Sequence, residues 1–462
     1  MSYAIEGPRS RQFPGGTVQL LVTAFILCAT LSLVAPNARA VASFARQTGL
    51  PCSSCHTTIP ELTPLGRTFK LYGYTMTGMQ TITSKNGKTT SGLSLNTFLP
   101  LSAFFQVSYT TTKAPQPNTQ NGNFEFPQAA SLFLAGAMSV HAGGFIQVTY
   151  NTQANHFGWD NTDLRYANSR KLGGKDFVYG VTLNNNPTVE DLWSDVPAWG
   201  FPFVSPDSTP RPLAATVVDG RLAQDVAGLG TYAMWNNHLY GAVTAYRSEH
   251  LGGLQPTSGM GFAFNIRGVA PYWRLAWQQT LGNNYIEFGT YGIHVSSSPN
   301  AITGPTDQMT DVAADVQYER ILPTQHNNLI TIHSTYIHEN STLNATLAAG
   351  GADFAQHHLS TFRLDGVYHF GNKYAATLGT FDTTGTTDAT LFAQAPVTGS
   401  ANGDPKSRGY ITNFSYWPVQ NIQLAAQYNA YTQFNGAGTN YDGAGRKASG
   451  NNSLYLVLWL IF

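Results

Sequence analysis

The chain has 462 residues, 25 basic and 25 acidic side chains, a formal net charge of zero and only 11% charged residues. That balance excludes the basic surface a nucleic-acid binder needs, so no nucleic-acid partner is expected. With 45 Gly, 26 Phe, 23 Tyr and 8 Trp, the composition suits a β-solenoid, a propeller or a membrane barrel, and the strand pattern must choose among them.

Residues 1–40 read as a secretory signal. Arg9 and Arg11 form a basic start, Leu20 to Val34 an apolar core, and Ala38-Arg39-Ala40 a small-residue cleavage site. Cys28 lies inside the apolar core after Leu27, which disfavours a lipoprotein anchor. Beyond the signal no stretch reaches the ~20 apolar residues of a spanning helix.

Cys52-Ser53-Ser54-Cys55-His56 follows, a C-x-x-C-H motif. Two thiols at that spacing can add to the two vinyl groups of one porphyrin, and the adjacent imidazole then becomes the proximal iron ligand of a c-type haem. The competing readings are a zinc knuckle and a thioredoxin-like dithiol. Zinc needs two further ligands, and no Cys follows Cys55. A redox dithiol expects a βαβ setting, which the flanking sequence does not offer. Covalent haem attachment occurs outside the cytoplasmic membrane, so motif and signal agree.

The segment 41–91 is short for a free-standing cytochrome. Thr63-Pro64 reads as a helix N-cap and first residue, placing Leu65, Phe69 and Tyr72 on one face that can lie on the porphyrin. Arg46, Arg67 and Lys70 are candidate propionate partners, or else solvated surface charge. Met76 and Met79 are the candidate distal iron ligands.

From about Leu93 the chain repeats one unit: a strand of ~10 residues with period-two alternation, a tight turn, a returning strand and a long polar loop. Val312, Ala314, Val316 and Tyr318 oppose Asp311, Asp315, Gln317 and Glu319; Trp273, Leu275 and Trp277 oppose Arg274 and Gln278; Phe362 and Leu364 oppose Arg363 and Asp365. Short turns are expected at 141–144, 173–174, 236–237, 282–283, 321–327, 371–372 and Pro418. Long loops are expected at 113–128, 153–161, 185–227, 249–268, 298–309, 341–356, 385–404 and 434–451. The alternation of short and long connections predicts an all-β fold, a transmembrane antiparallel β-barrel of about sixteen strands over 92–462. The C-terminal Leu454 to Phe462, apolar, aromatic and ending in Phe, resembles the last strand of bacterial outer-membrane proteins. A lumen that wide can hold the haem segment, so the expected arrangement is a plugged barrel in the outer membrane with both termini periplasmic.

Phe44-Ala45-Arg46-Gln47-Thr48-Gly49, the haem motif, Pro60-Glu61-Leu62-Thr63-Pro64 and Gly66 to Tyr74 closely resemble the N-terminus of the monohaem cytochrome–porin fusions of iron-oxidising bacteria. The likeness covers about thirty residues, and the rest matches in architecture only. It implies an Fe(II):cytochrome c (or cupredoxin) oxidoreductase, a single covalent haem c on Cys52 and Cys55 with His56 as proximal ligand, and as partners external Fe(II), a periplasmic carrier and outer-membrane lipid. It fixes neither the distal ligand nor any iron site.

Two alternatives stay open: a transport porin whose haem plug is structural or redox-sensing, and a conduit for another donor such as reduced sulfur or a different metal. The loop 185–227, with Glu190, Asp191, Asp195, Asp207, Asp219 and Asp225, can set a charged constriction. Asp191 and Asp195 are otherwise expected to be external carboxylates, solvated or weakly gathering Fe(II).

Overall fold

A computed structural model describes residues 42–76, 81–82, 95–96, 99–152, 155–197, 206, 208–222, 226–248, 265–299, 304–325 and 327–462. The signal segment 1–40 and Met79 lie outside the described residues. Three short helices come first: α1 (Ser43–Thr48), α2 (Cys52–Cys55) and α3 (Pro64–Leu71).

Sixteen described strands then close on themselves: β1 (Leu101–Thr112), β2 (Asn123–Ala137), β3 (Ala142–Asn151), β4 (His156–Leu172), β5 (Lys175–Asn184), β6 (Val226–Trp235), β7 (Leu239–Ser248) and β8 (Ala270–Leu281). The circuit continues through β9 (Asn284–Ser297), β10 (Asp307–Ile321), β11 (Leu329–Thr342), β12 (Gln356–Phe370), β13 (Tyr374–Gly385), β14 (Ser407–Val419), β15 (Ile422–Gln433) and β16 (Ser453–Ile461). Every neighbour is antiparallel, and β16 pairs with β1 from Ser453↔Thr112 to Ile461↔Phe104, so no edge is left open. Full closure is what a sheet needs in hydrocarbon, where an unpaired edge has no water to satisfy it.

The alternation is inverted relative to a soluble sheet. Along β10 the buried positions are Asp307, Asp311, Asp315, Gln317 and Glu319, with Met309 and Ala313 among them, while Val312 is 51% exposed. Leu275, Phe288, Leu378 and Phe414 likewise face outward from their strands. An apolar outer belt around a polar lumen is the signature of a barrel that crosses a bilayer. None of the described helices is long and apolar enough to cross one.

The connections alternate short and long as expected, with corrections to their positions. The turn expected at 141–144 lies at 138–141, because Gly143 and Gly144 already pair with Ala137 and Gly136 of β2. Pro418 is not a turn: it lies inside β14, at a register shift between Tyr416 and Val419, and the turn is Gln420-Asn421. A bulge tolerates the missing N–H of proline. Pro127 similarly sits inside β2 opposite a shift between Gln106 and Ser108, so the first loop spans 113–122 rather than 113–128. The predicted loop 153–161 shrinks to 152–155, because His156 to Trp159 pair with β3 and Asp160 and Asn161 fall within the strand at a shift between Ile146 and Val148.

The largest correction concerns the long loop after β5. Its described residues, 185–197, 206 and 208–222, fold into the lumen, as the constriction-loop alternative expects, and not outward with Asp191 and Asp195 as external carboxylates. Asn186 caps α4 (Pro187–Glu190) by accepting from the Val189 N–H. Val196, Val217, Val218 and Leu222 are fully buried against Tyr246, Tyr272 and Tyr291 of the wall. The Val217 N–H donates to Glu339 (2.8 Å), and that of Val218 to Asp311 (2.8 Å). Asp191 is 0% and Asp195 7% exposed, so neither is an external carboxylate. Asp191 pairs with Arg274 of β8 at 2.7 Å.

Candidate haem site and the lumen plug

Residues 42–76 occupy the lumen, held by polar contacts from several directions. Ser43 Oγ and Gln47 Nε2 both donate to the Ala135 carbonyl, at 2.6 and 2.9 Å, and Gln47 Oε1 accepts from the Ala137 N–H at 3.2 Å. Tyr74 donates to Asp163 (2.6 Å), and Tyr232 of β6 donates back to the Leu71 carbonyl (2.9 Å). Arg67, 3% exposed, pairs with Glu319 of β10 at 2.6 Å and lies over the Tyr285 ring.

Local sequence explains why the motif takes its shape. Gly49, with φ of 72°, ends α1 in the left-handed region that glycine reaches without strain. The His56 N–H donates to the Cys52 carbonyl (2.9 Å), closing one helical turn across the two cysteines. α3 clamps that turn: Thr63 caps α3 by accepting from the Gly66 N–H (3.1 Å), donates its hydroxyl to the Ser54 carbonyl (2.6 Å), and its N–H bonds the Cys55 carbonyl (2.9 Å). Gly66 sits so close that a Cβ there would lie 2.2 Å from the Cys55 oxygen.

Cys55 and His56 line a cavity of about 720 Å³ whose walls come from both plug and barrel. Phe44, Phe69 and Tyr74 supply the plug side; Phe133, Phe145 and Trp159 supply the wall side. The plug aromatics pack on one another, with Phe44 stacked on Tyr74 at 5.5 Å and edge-on to Phe69 at 5.1 Å. This volume and lining suit a large flat apolar group. The His56 Nδ1 faces the Glu61 carbonyl at 3.2 Å, which assigns the proton to Nδ1 and leaves Nε2 as the ligating atom. Burial holds the imidazole below its usual range, so it stays neutral, the form that binds iron. Burial also pushes both thiols up, away from the thiolate of a redox dithiol. Among the described residues, neither cysteine belongs to a group of three or more metal-ligating side chains. These residues fit a c-type haem better than zinc or a reactive dithiol.

The remaining sequence candidates divide. Lys70 lines the cavity, but its amine donates to the Asp191 carbonyl, and burial, reinforced by the Arg165 guanidinium, lowers it to about 7. Arg67 is engaged by Glu319 away from the cavity, and Arg46 donates to the Leu99 and Leu101 carbonyls. Phe69 lines the cavity as expected; Leu65 is 40% exposed and Tyr72 packs toward the cluster around Trp193. Met76 is 38% exposed and does not line the cavity. Arg211, from the inward loop, lines it and was not among the propionate candidates.

A second group lies behind His56. Glu61, two residues before the cap of α3, meets His333 of β11 and Asp365 of β12, which are direct register partners. Burial, reinforced by Asp365 and opposed by His333, pushes the Glu61 carboxyl up to about 7. No sequence spacing announces this trio, because its members are 272 and 32 residues apart. The only signal is that His333 and Asp365 fall on the inward phase of their strands.

No family model matches the sequence, and no curated protein matches it. Among solved structures the chain is similar to the outer membrane channel DcaP of Acinetobacter baumannii, with 14% identity over 83% of this chain and 100% of that one, at a TM-score of 0.46. It is also similar to OmpF of Salmonella typhi (11% identity, 80% and 98% covered, TM-score 0.46). OmpT of Vibrio cholerae, an outer membrane protein, gives 10% identity with 78% and 96% covered, at a TM-score of 0.42. Likenesses at this level carry nothing about what passes through the present barrel.

Proposed function

We propose that this chain is an electron conduit of the bacterial outer membrane, in which one haem c held by Cys52, Cys55 and His56 connects external Fe(II) to a periplasmic c-type cytochrome or cupredoxin. The observation that carries the reading is the placement of the C-x-x-C-H turn: Cys55 and His56 border an aromatic cavity of about 720 Å³ inside a closed barrel, and His56 is oriented through its Nδ1 by the Glu61 carbonyl. When bound, the haem supplies reversible one-electron chemistry. The protein supplies attachment, a neutral oriented imidazole and exclusion of water by Phe44, Phe69, Tyr74 and the wall aromatics. Low polarity there disfavours the more positively charged ferric state and raises the potential. In this reading the long loops face outward and both termini lie in the periplasm.

A transport porin with a structural or redox-sensing plug is the second reading. It is favoured by the described residues of the inward loop, 185–197 and 208–222, since a loop folded against the inner wall is how a pore sets a charged constriction. Mixing the purified holoprotein with Fe(II) and following the haem absorbance separates the two. Prompt reduction supports the conduit; a haem that stays ferric with excess Fe(II) supports transport.

A further inference from the structure

We propose that Glu61, His333 and Asp365 form a binding site for one divalent transition-metal ion inside the lumen, with Asp195 as a further oxygen donor. His333 Nδ1 lies 3.9 Å from Glu61 Oε1 and 3.5 Å from Asp365 Oδ2. One donor atom from each of the three lies within 4.8 Å of the others. These separations are at or beyond the limit of a hydrogen bond. An ion bound at ~2.1 Å to each donor spans the shorter one and closes the longer by a few tenths of an ångström.

Three further features point to a cation. The trio borders a cavity of about 30 Å³, the room of one water or one small ion, together with Ser194, Asp195 and Thr335. Asp195 is 7% exposed and keeps its Oδ2 without a hydrogen-bond partner, and a buried unpaired carboxylate oxygen calls for a cation or a proton. Glu61 Oε2 takes the Thr57 hydroxyl at 3.2 Å, which turns Oε1 toward His333.

The charge count around this cavity is unbalanced. Glu61, Asp365 and Asp195 meet the His333 imidazole and the guanidinium of Arg363, which also serves Asp219. On its other side Asp195 adjoins Glu287 and Asp315, where Arg274 serves Glu287, Asp315 and Asp191 together. One imidazole with carboxylate oxygens suits Fe(II), Mn(II) or Zn(II) and not a soft ion. Because the Glu61 carbonyl accepts from His56, the ion would sit one residue's backbone from the imidazole assigned to the haem. That adjacency names where the metal donor of the proposed function rests; the binding site itself does not depend on that reading.

The test uses the full-length holoprotein in detergent and Mn(II) as the probe, counting free and bound ion by its EPR signal. One Mn(II) per chain, displaced by Zn(II), is expected. Asp365→Asn and His333→Gln, both close in volume to the native side chains, should each weaken binding by about tenfold or more. Asp382→Asn, at an exposed pair with Arg408, should leave it unchanged. No bound Mn(II) in the native protein, or binding in D365N and H333Q as tight as in the native protein, overturns the proposal. If Mn(II) binds with the expected pattern while Fe(II) leaves the haem absorbance unchanged, the site stands and the conduit reading falls.

Discussion

Arg67→Met is the sharpest probe of how the plug is held. The guanidinium spans plug and wall: it pairs with Glu319 at 2.6 Å, with both side chains at most 5% exposed, donates to the Leu62 carbonyl at 2.7 Å, and lies 4.3 Å from the Tyr285 ring centroid. Methionine keeps most of the stem's volume but leaves Glu319 buried with only Gln317 Nε2, at 2.8 Å, as a hydrogen-bond donor. Removing one partner of a buried pair costs about 3–5 kcal/mol. At 1.4 kcal/mol per tenfold, that raises the undocked population of residues 42–76 by roughly a thousandfold. Cleavage of the plug by a protease of broad specificity tracks that population when redocking is fast. In planar bilayers the same release appears as openings of a barrel that is otherwise closed. Adding Glu319→Gln removes the orphaned charge and should recover most of the loss. If R67M is as protected and as closed as the native protein, the plug is not held by this pair. A double variant as labile as R67M would assign the effect to packing instead of charge.

Gly66→Ala should displace the Cys52–Cys55 turn from α3, because its Cβ meets the Cys55 carbonyl at 2.2 Å; we expect a loss of about 1–3 kcal/mol, read as lower covalent haem content by pyridine haemochrome. Cys52→Ala with Cys55→Ala should abolish covalent haem altogether, checked by haem staining after denaturation. Lys70, lowered to about 7 from an ordinary value of 10.5, makes docking pH-dependent. Between those values the released plug binds more protons than the docked one, so docking strengthens as pH rises through that window, by up to about tenfold per pH unit, and is weaker again near pH 7. Protease protection against pH measures the slope, and Lys70→Met should flatten it. A protease site inserted at the exposed Gly350 should be cleaved from outside intact cells, whereas one in the Asn236-Asn237 turn should be protected; the reverse pattern would invert the barrel.

The strands were legible because alternation is enforced twice over, by lipid on one face and by a polar lumen on the other, so Val312 and Asp315 fall where their chemistry requires. Prolines misled at Pro127 and Pro418, since a bulge can hold a proline that a regular ladder cannot. The acids of the long loop were compatible with either placement, and only Asp191 and Asp195 were expected outside. The signal for the inward one was the set Val189, Leu192, Trp193, Val196, Val217 and Val218, too apolar for a solvated external loop and buried against the inner wall. The C-x-x-C-H motif can be proposed from sequence because the attachment chemistry it would serve is local, needing two thiols and an imidazole within five residues. The Glu61–His333–Asp365 group does not show in the sequence, because strand register sets His333 beside Asp365 and only docking of the plug adds Glu61.

The central claim is that electrons cross the barrel while iron does not. Liposomes carrying the holoprotein and enclosing a ferric cytochrome c are mixed with external Fe(II), and the absorbance of the enclosed cytochrome is followed alongside a chelator assay for iron inside. The account predicts reduction of the enclosed cytochrome with no iron in the interior, lost when Cys52 and Cys55 are both Ala. An enclosed cytochrome that stays oxidised, or is reduced only as iron enters, would contradict it.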